Sequence, residues 1–498
     1  MDSLWIDSID KTYKFDELNK NIETDICIVG AGIFGMTCAY YLSNLGFKVV
    51  LIDKNNLAGT TCYTTGKITS QHGLFYNYLN TSYNINFAKD YLEANERAIK
   101  NIKSIIEKEN IDCDFETQNS YIYTTKKDEI NRLKDEQKVL ESLGYDAKLT
   151  TNVSLPFSVE EALCFKNQAK FNPLKYILGL SQCIIKKKGQ IYTNTTATDV
   201  KKDKERYVVY TDKDHIVRAK HVIIATRYPF MKLPGFYFSK LYQATSYLIA
   251  LETENKLLND MYINISSPIF SLRTAKFKGK DVLLIAGGDC KTGHNTSDEN
   301  PYDTLENFAK KYYPNYNLLY KWSSEDCISL DKLPYIGIYS NLLPNVYVGT
   351  GFKKWGMTLS NVAANIIVDK ICERENKYAY LFDSSRFGLF KNFTEVKNMV
   401  VDSSNSLLFN KLKSSDISIE NIKANSGGIV DLDGQKIGIY KDENNHAFAI
   451  NPICTHLGCL LTWNDIDKTW DCPCHGSRYD CMGKNIYGPA FEDLERYE

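Results

Sequence analysis

Apolar residues first concentrate in a short run over 26–29, Ile-Cys-Ile-Val, and Gly30-Ala-Gly32-Ile33-Phe34-Gly35 follows at once. The pattern is helical over 36–45, Gly46 stops it, and a second apolar run over 48–52 ends in Asp53. Strand, glycine-rich turn, helix, strand and acid in this order predict a dinucleotide-binding βαβ unit. Gly30 would allow the tight turn, Gly32 the approach of backbone to a pyrophosphate, and Gly35 close helix-to-strand packing, with Asp53 placed for a ribose hydroxyl pair. Further helices are predicted over 87–109, 127–143 and 172–188, and strands over 192–200, 206–211, 216–219 and 221–225. From Gly235 onward, short alternating strands over 246–253, 261–265, 269–272 and 281–286 predict an inserted antiparallel sheet. A strand over 345–348 leads into Gly349-Thr-Gly351-Phe-Lys-Lys-Trp355-Gly356-Met357-Thr358 and a helix reaching 372. After a polar connection, strands over 418–422, 427–432 and 435–440, with turns at Gly428 and Asp433-Gly434, predict a small β-sandwich.

At 498 residues the chain is too long for one core and predicts two to four domains. A net charge of −1 and 43% hydrophobic residues point away from nucleic acid. The first twenty residues lack a basic start and an apolar core, and no apolar run approaches the roughly 20 residues that span a bilayer. A cytoplasmic protein without a transmembrane segment is expected. Residues 405–498 carry 9 Lys and Arg against 14 Asp and Glu, a net −5 that leaves +4 for the remainder. That difference favours docking of the small unit on the large one.

The candidate chemistry lies near the end of the chain, in Cys454-Thr-His456-Leu-Gly-Cys459 and Cys472-Pro-Cys474-His475-Gly-Ser477-Arg-Tyr479. Each segment offers one thiolate and one imidazole on a tight loop. Zinc sites of two Cys and two His usually keep like ligands together, and here they are mixed. The arrangement resembles a Rieske [2Fe-2S] domain. That resemblance implies a [2Fe-2S] cluster held by Cys454, His456, Cys472 and His475, with neutral imidazoles raising its potential. It further implies a Cys459–Cys474 disulfide bracing the loops, hydroxyls of Ser477 and Tyr479 bonding to cluster or ligand sulfur, and a covering loop at Gly483, Gly488 and Pro489.

The segment Gly59-Thr60-Thr61-Cys-Tyr-Thr-Thr65-Gly66-Lys67, straight after the ribose acid, resembles the D-amino-acid oxidase superfamily of FAD proteins. A plain Ser/Thr turn with a solvated lysine is the alternative for this stretch alone. The segment around Val200, the strand ending Ala225-Thr226 and the 349–358 turn match the same superfamily, particularly members with a fused Rieske module. The resemblance implies an α/β Rossmann-like FAD-binding domain with an inserted antiparallel substrate sheet, followed by an all-β Rieske domain. The expected boundaries are 20–385 for the oxidoreductase, with FAD-binding parts at 20–110, 155–230 and 320–375 and the insertion at 231–319. A linker over 386–404 and the Rieske domain over 405–498 follow. FAD would be held by Gly30, Gly32, Ile33, Phe34, Gly35, Asp53, Lys54, Thr60, Thr61, Thr65, Gly66, Lys67, Val200, Ala225, Thr226, Gly351, Trp355, Gly356, Met357 and Thr358. Amides at the start of the last helix would stabilise negative charge on a reduced flavin.

Lys67 and His72 are candidates for acid–base or substrate-orienting roles, and Arg273 for binding a substrate carboxylate, an exposed arginine being the alternative. The expected function is FAD-dependent oxidation of a small amine, amino acid or hydroxy acid, with electrons passed singly through the cluster to an external acceptor, protein or quinone. A redox relay exchanging electrons with a protein partner is the second reading. A Rieske oxygenase would need two further histidines beside a carboxylate, and His72, His215, His221, His294 and His446 provide no such close pair.

Overall fold

The computed structural model describes residues 3–9, 14–231, 234–294, 300–386 and 418–497. Its first sheet has eight strands, with the path Tyr335–Ser340, Leu343–Thr350, Ile216–Ile224, Ile22–Val29, Val49–Ile52 and Gln190–Tyr192. Ile22–Val29 lies at the centre, parallel to both Ile216–Ile224 and Val49–Ile52. Its last four residues are all buried, as a strand covered on both faces requires. The helix Ile33–Asn44 joins it to Val49–Ile52 and packs between Pro173–Lys186 and Gly356–Ile371. Asn172 caps Pro173–Lys186 by accepting from the amides of Leu174 and Lys175. Asn84 caps the long helix Ile85–Glu109 through the amide of Phe87, and Asn110 ends it in the left-handed region.

The second sheet has nine strands and is more widely sourced than a contiguous insertion. Leu241–Thr253, Met261–Asn264, Phe270–Phe277 and Lys280–Lys291 occupy the expected stretch, but Glu116–Thr124 and Glu161–Lys170 precede it and Tyr316–Ser329 follows. Met261–Asn264 runs parallel to Glu116–Thr124, so a strand pair distant in sequence splices the early residues to the insertion. Pairing of this kind leaves no local signal. The strand expected over 192–200 divides into Gln190–Tyr192 and Ala197–Asp203, and the runs over 216–219 and 221–225 are one continuous strand, Ile216–Ile224.

The C-terminal module consists of two four-stranded sheets, Ser426–Leu432, Gln435–Lys441, Ala447–Ile450 and Arg496–Tyr497 in one, and Thr462–Asn464, Thr469–Asp471, Arg478–Asp480 and Asn485–Tyr487 in the other. Its core gathers Trp470, Tyr479, Leu461 and Ile450 around the ligand-loop cysteines. Where a strand was expected over 418–422 there is a single 3₁₀ turn, Ile419–Asn421. Apart from Arg386, the expected linker over 386–404 lies outside the described residues. Among those residues no helix is long and apolar enough to cross a membrane.

Candidate functional site

The central strand delivers Gly30 to its carboxyl end, the edge at which open α/β sheets bind ligands. Gly30 has φ +112°, and a Cβ there would lie 2.7 Å from the carbonyl oxygen of Ala225. A Cβ on Gly35 would lie 1.9 Å from the carbonyl oxygen of Gly30. Both glycines are therefore required by the turn itself. The Asp53 carboxylate accepts from the amides of Ala31 at 2.6 Å and Asn55 at 2.8 Å, and burial pushes its pKa up to about 6. A cavity of about 790 Å³ opens here, bounded on one side by Gly30, Gly32, Asp53, Lys54, Thr60 and Thr226, with Ala225 beside them. Ile33, Phe34 and Gly35 form the buried first turn of the helix beneath. Thr61 supports that turn, its Oγ1 accepting from the Ile33 amide at 3.1 Å. Val200 is a core residue, and Ala197, at the start of the same strand, reaches the cavity wall in its place.

The second expected FAD segment approaches through Phe352, whose ring meets Phe34 edge-on at 5.9 Å. Gly351 has φ +76°, and Trp355 precedes the helix Gly356–Ile371 without a side-chain cap. Its first-turn amides are thus left for another acceptor. Met357 is buried, and Thr358 donates to the carbonyl of Thr69 at 3.1 Å. Thr65 is half-buried beside Gly66 on the approaching loop.

The three proposed catalytic side chains are all buried and committed to internal partners. His72 stacks on Trp355 at 4.7 Å, with Nδ1 2.7 Å from the Tyr91 hydroxyl and Nε2 2.9 Å from the carbonyl of Thr69. A carbonyl can only accept, so Nε2 carries the proton and Nδ1 accepts from Tyr91. Burial holds the pKa down to about 3, which keeps the ring neutral. Lys67 donates to the carbonyl of Tyr262 at 2.8 Å, and burial, followed by the charge of Arg273, holds its ammonium well below the usual lysine range.

Arg273 is neither an exposed arginine nor one open to a substrate carboxylate. It is 2% exposed, donates to the carbonyls of Gly66 at 2.6 Å, Phe171 at 3.2 Å and Thr274 at 3.0 Å, and lies 5.2 Å from the Trp5 ring. Its place is that of a brace tying the Gly66 turn to the second sheet.

In the C-terminal module, Cys454, His456, Cys472 and His475 come together from two loops, all buried. The imidazoles stand 5.0 Å apart and nearly perpendicular. A hydrogen bond with Cys472, and to a smaller extent one from the Tyr479 hydroxyl, holds the Cys454 thiol down to about 6 against the effect of burial, while the same contact and burial raise Cys472. The contact thus favours the thiolate, the ligand form, at Cys454 over Cys472. Burial and then Lys291 hold His475 down to about 4, so it is neutral, and its Nδ1 is buried without a hydrogen-bond partner among the described residues. This donor set fits a mixed thiolate–imidazole iron–sulfur centre. The Tyr479 hydroxyl lies 3.5 Å from Cys454 Sγ, and Ser477 also hydrogen-bonds to that sulfur while its Oγ accepts from the amide of Ala490 at 3.0 Å. Cys459 and Cys474 form a disulfide with Cα atoms 6.6 Å apart. Three sulfurs, of Cys459, Cys472 and Cys474, crowd within 4.8 Å, and the disulfide leaves only Cys472 of these as a thiol.

The ligand loops are seated against the large unit. Phe238 meets the ring of His456 at 6.1 Å and that of His475 at 6.2 Å, both edge-on. Gln243 Nε2 lies 2.9, 2.7 and 2.7 Å from the carbonyls of His475, Gly476 and Gly488. Gly476 permits this approach, since a Cβ there would come within 2.6 Å of Gln243 Cβ. Arg478 pairs in bidentate fashion with Asp471 at 2.8 Å, and reaches Asp467 at 3.0 Å and Glu325 of the large unit at 3.1 Å. Thr245 and Thr292 donate to the same Glu325 carboxylate at 2.5 and 2.8 Å. Phe238, Gln243 and Glu325 carry no local motif that would single them out.

Fold and site together define a flavin-dinucleotide oxidoreductase carrying an iron–sulfur module. Residues 25–370 match the family described as FAD dependent oxidoreductase, and residues 415–498 match the Rieske [2Fe-2S] domain. The chain belongs to the FAD dependent oxidoreductase family, with a Rieske domain at its C-terminal end, and it binds FAD and a [2Fe-2S] cluster. It is 36% identical over 485 residues to a putative Rieske 2Fe-2S iron-sulfur protein, YhfW, of Bacillus subtilis, covering 97% of this chain and 95% of that one. It is 21% identical to gamma-glutamylputrescine oxidoreductase of Escherichia coli, over 78% of this chain and 91% of that one. Glycine oxidase of Geobacillus kaustophilus shares its fold, with TM-score 0.64 and 16% identity, across 74% of this chain and 100% of that one.

Proposed function

We propose that this oxidoreductase oxidises a small amine or amino acid, a hydroxy acid being the wider class, and delivers the electrons one at a time through its Rieske module to an external one-electron acceptor, protein or quinone. The observation that carries the reading is the seating of His456 and His475 against Phe238 of the large unit. An electron carrier whose ligand edge is covered by its own flavin domain is positioned to exchange electrons with that domain first. Bound FAD supplies two-electron chemistry at a C–H bond next to nitrogen or oxygen, and the bound cluster supplies one-electron transfer.

The residues of the chain bind and orient. Gly30 and Gly32 let backbone approach the dinucleotide, Asp53 accepts from ribose hydroxyls, and the uncapped start of Gly356–Ile371 offers amides to negative charge. Cys454, His456, Cys472 and His475 are the proposed cluster ligands, with the Tyr479 hydroxyl directed at Cys454 Sγ. The choice of substrate class draws on the amine and amino-acid names of the similar proteins, gamma-glutamylputrescine oxidoreductase and glycine oxidase.

The relay reading draws its support from Lys67, His72 and Arg273 all being bound internally. Anaerobic titration of the full-length protein with amines, amino acids and hydroxy acids separates the two. Bleaching of the flavin absorbance followed by the reduced-cluster EPR signal is expected from a dehydrogenase. Flavin left oxidised by every compound, yet reduced by a protein donor, would establish the relay instead.

A further inference from the structure

The cavity beside Asp53 is not closed by the large unit. Its remaining wall comes from the C-terminal module, residues 484–488 with Asp480 and Phe491. Lys54, directly after the ribose acid, donates to Asn485 Oδ1 at 3.1 Å and to the carbonyl of Ile486 at 3.3 Å. Arg227, just past the strand Ile216–Ile224, lies over the Tyr487 ring at 4.3 Å, a cation–π contact between the two units. Phe230 meets Phe491 edge-on at 6.1 Å on the same rim.

Acids stand near both cations of this cavity, Asp53 and Asp493 near Lys54 and the buried Asp326 near Arg227, yet among the described residues neither cation is bonded to a carboxylate there. The acceptors that hold Lys54 are neutral, and the Arg227 Nη1 is buried without a hydrogen-bond partner among the described residues. The two cations are close enough that, after burial, Arg227 is the largest influence lowering the Lys54 pKa, with Asp53 and Asp493 opposing it. Two neighbouring cations and a glycine-rich turn on one cavity suit a dianionic group.

We propose that the Rieske module completes the FAD site, with Asn485, Ile486 and Tyr487 setting Lys54 and Arg227 to bind the anionic diphosphate of the dinucleotide, so that FAD occupancy depends on docking of the module. By linkage, bound FAD in turn favours the docked arrangement. The dependence concerns cofactor retention and is separate from which substrate the enzyme oxidises.

The test uses the full-length protein, stripped of flavin and titrated with FAD by fluorescence quenching, with iron content and the Rieske EPR signal read on the same samples. Tyr487→Ala and Arg227→Gln are each expected to raise the Kd for FAD by about tenfold or more. The double variant should bind no more weakly than Arg227→Gln alone, since both changes break one contact. A Kd within about twofold of wild type for Tyr487→Ala, with the EPR signal intact, would overturn the proposal. Should Tyr487→Ala lose its cluster, Arg227→Gln decides, because that residue lies in the large unit away from the cluster ligands. An unchanged Kd there overturns the proposal equally.

Discussion

Arg478 of the C-terminal module lies 3.1 Å from Glu325 on the long strand Tyr316–Ser329 of the large unit, and both side chains are almost completely buried. The guanidinium also satisfies Asp467 and Asp471 within its own module. Removing it would leave three acids without their common partner, at a cost of about 3–5 kcal/mol. The Arg478→Met variant should therefore lose its cluster circular dichroism at distinctly lower denaturant than wild type. Glu325→Gln, which leaves the pairs inside the module in place, should retain the cluster. An unchanged denaturation midpoint for Arg478→Met would exclude the bridging role.

Tyr479 offers a finer probe. Its hydroxyl lies 3.5 Å from Cys454 Sγ and also takes a hydrogen bond from the Thr455 amide at 3.2 Å. A hydroxyl donated to a ligand sulfur stabilises the reduced, more negative cluster. Tyr479→Phe should lower the cluster potential by on the order of 60 mV, equivalent to about tenfold for one electron. Protein-film voltammetry reads this directly, and a potential that stays put or rises contradicts the assignment.

His72 gives a pH prediction of definite sign. Its pKa in the fold is held down to about 3 from an ordinary 6.5 by burial. Between these values the unfolded chain binds a proton that the folded chain refuses, so stability is lost as pH falls through this window. The slope from this one residue reaches about 1.4 kcal/mol per pH unit. In His72→Gln the fall in Tm between about pH 7 and 5 should be shallower than in wild type, whatever the absolute Tm. Parallel profiles would show that His72 does not titrate in this way.

Arg273 distinguishes a brace from a substrate anchor. Among the described residues its hydrogen bonds run to three backbone carbonyls, and one of these is that of Gly66, on the loop that approaches the flavin site. Arg273→Lys cannot reproduce three such bonds from one planar group. It should lower the Tm by several degrees while leaving the KM of the folded fraction for whichever substrate reduces the flavin close to that of wild type. A large rise in KM with an unchanged Tm would restore the carboxylate-binding role.

The amino-acid sequence by itself determined the features that depend on local geometry. A strand, the Gly30–Gly35 turn, a helix and Asp53 follow one another within about thirty residues, so their order alone specifies a βαβ dinucleotide turn. The mixed Cys/His spacing likewise specifies two ligand loops, because each pair is held by a single tight turn. What only the tertiary structure decided depends on contacts between distant residues. The second sheet takes Glu116–Thr124 and Glu161–Lys170 from outside the expected insertion, through pairings that no local pattern announces. Burial commits Lys67, His72 and Arg273 to internal partners, which their types and positions alone do not disclose. The docked module sets Phe238 against both cluster histidines and Tyr487 against Arg227. A ring contact between residues more than two hundred positions apart has no sequence period, and it arises only when two separately folded surfaces meet.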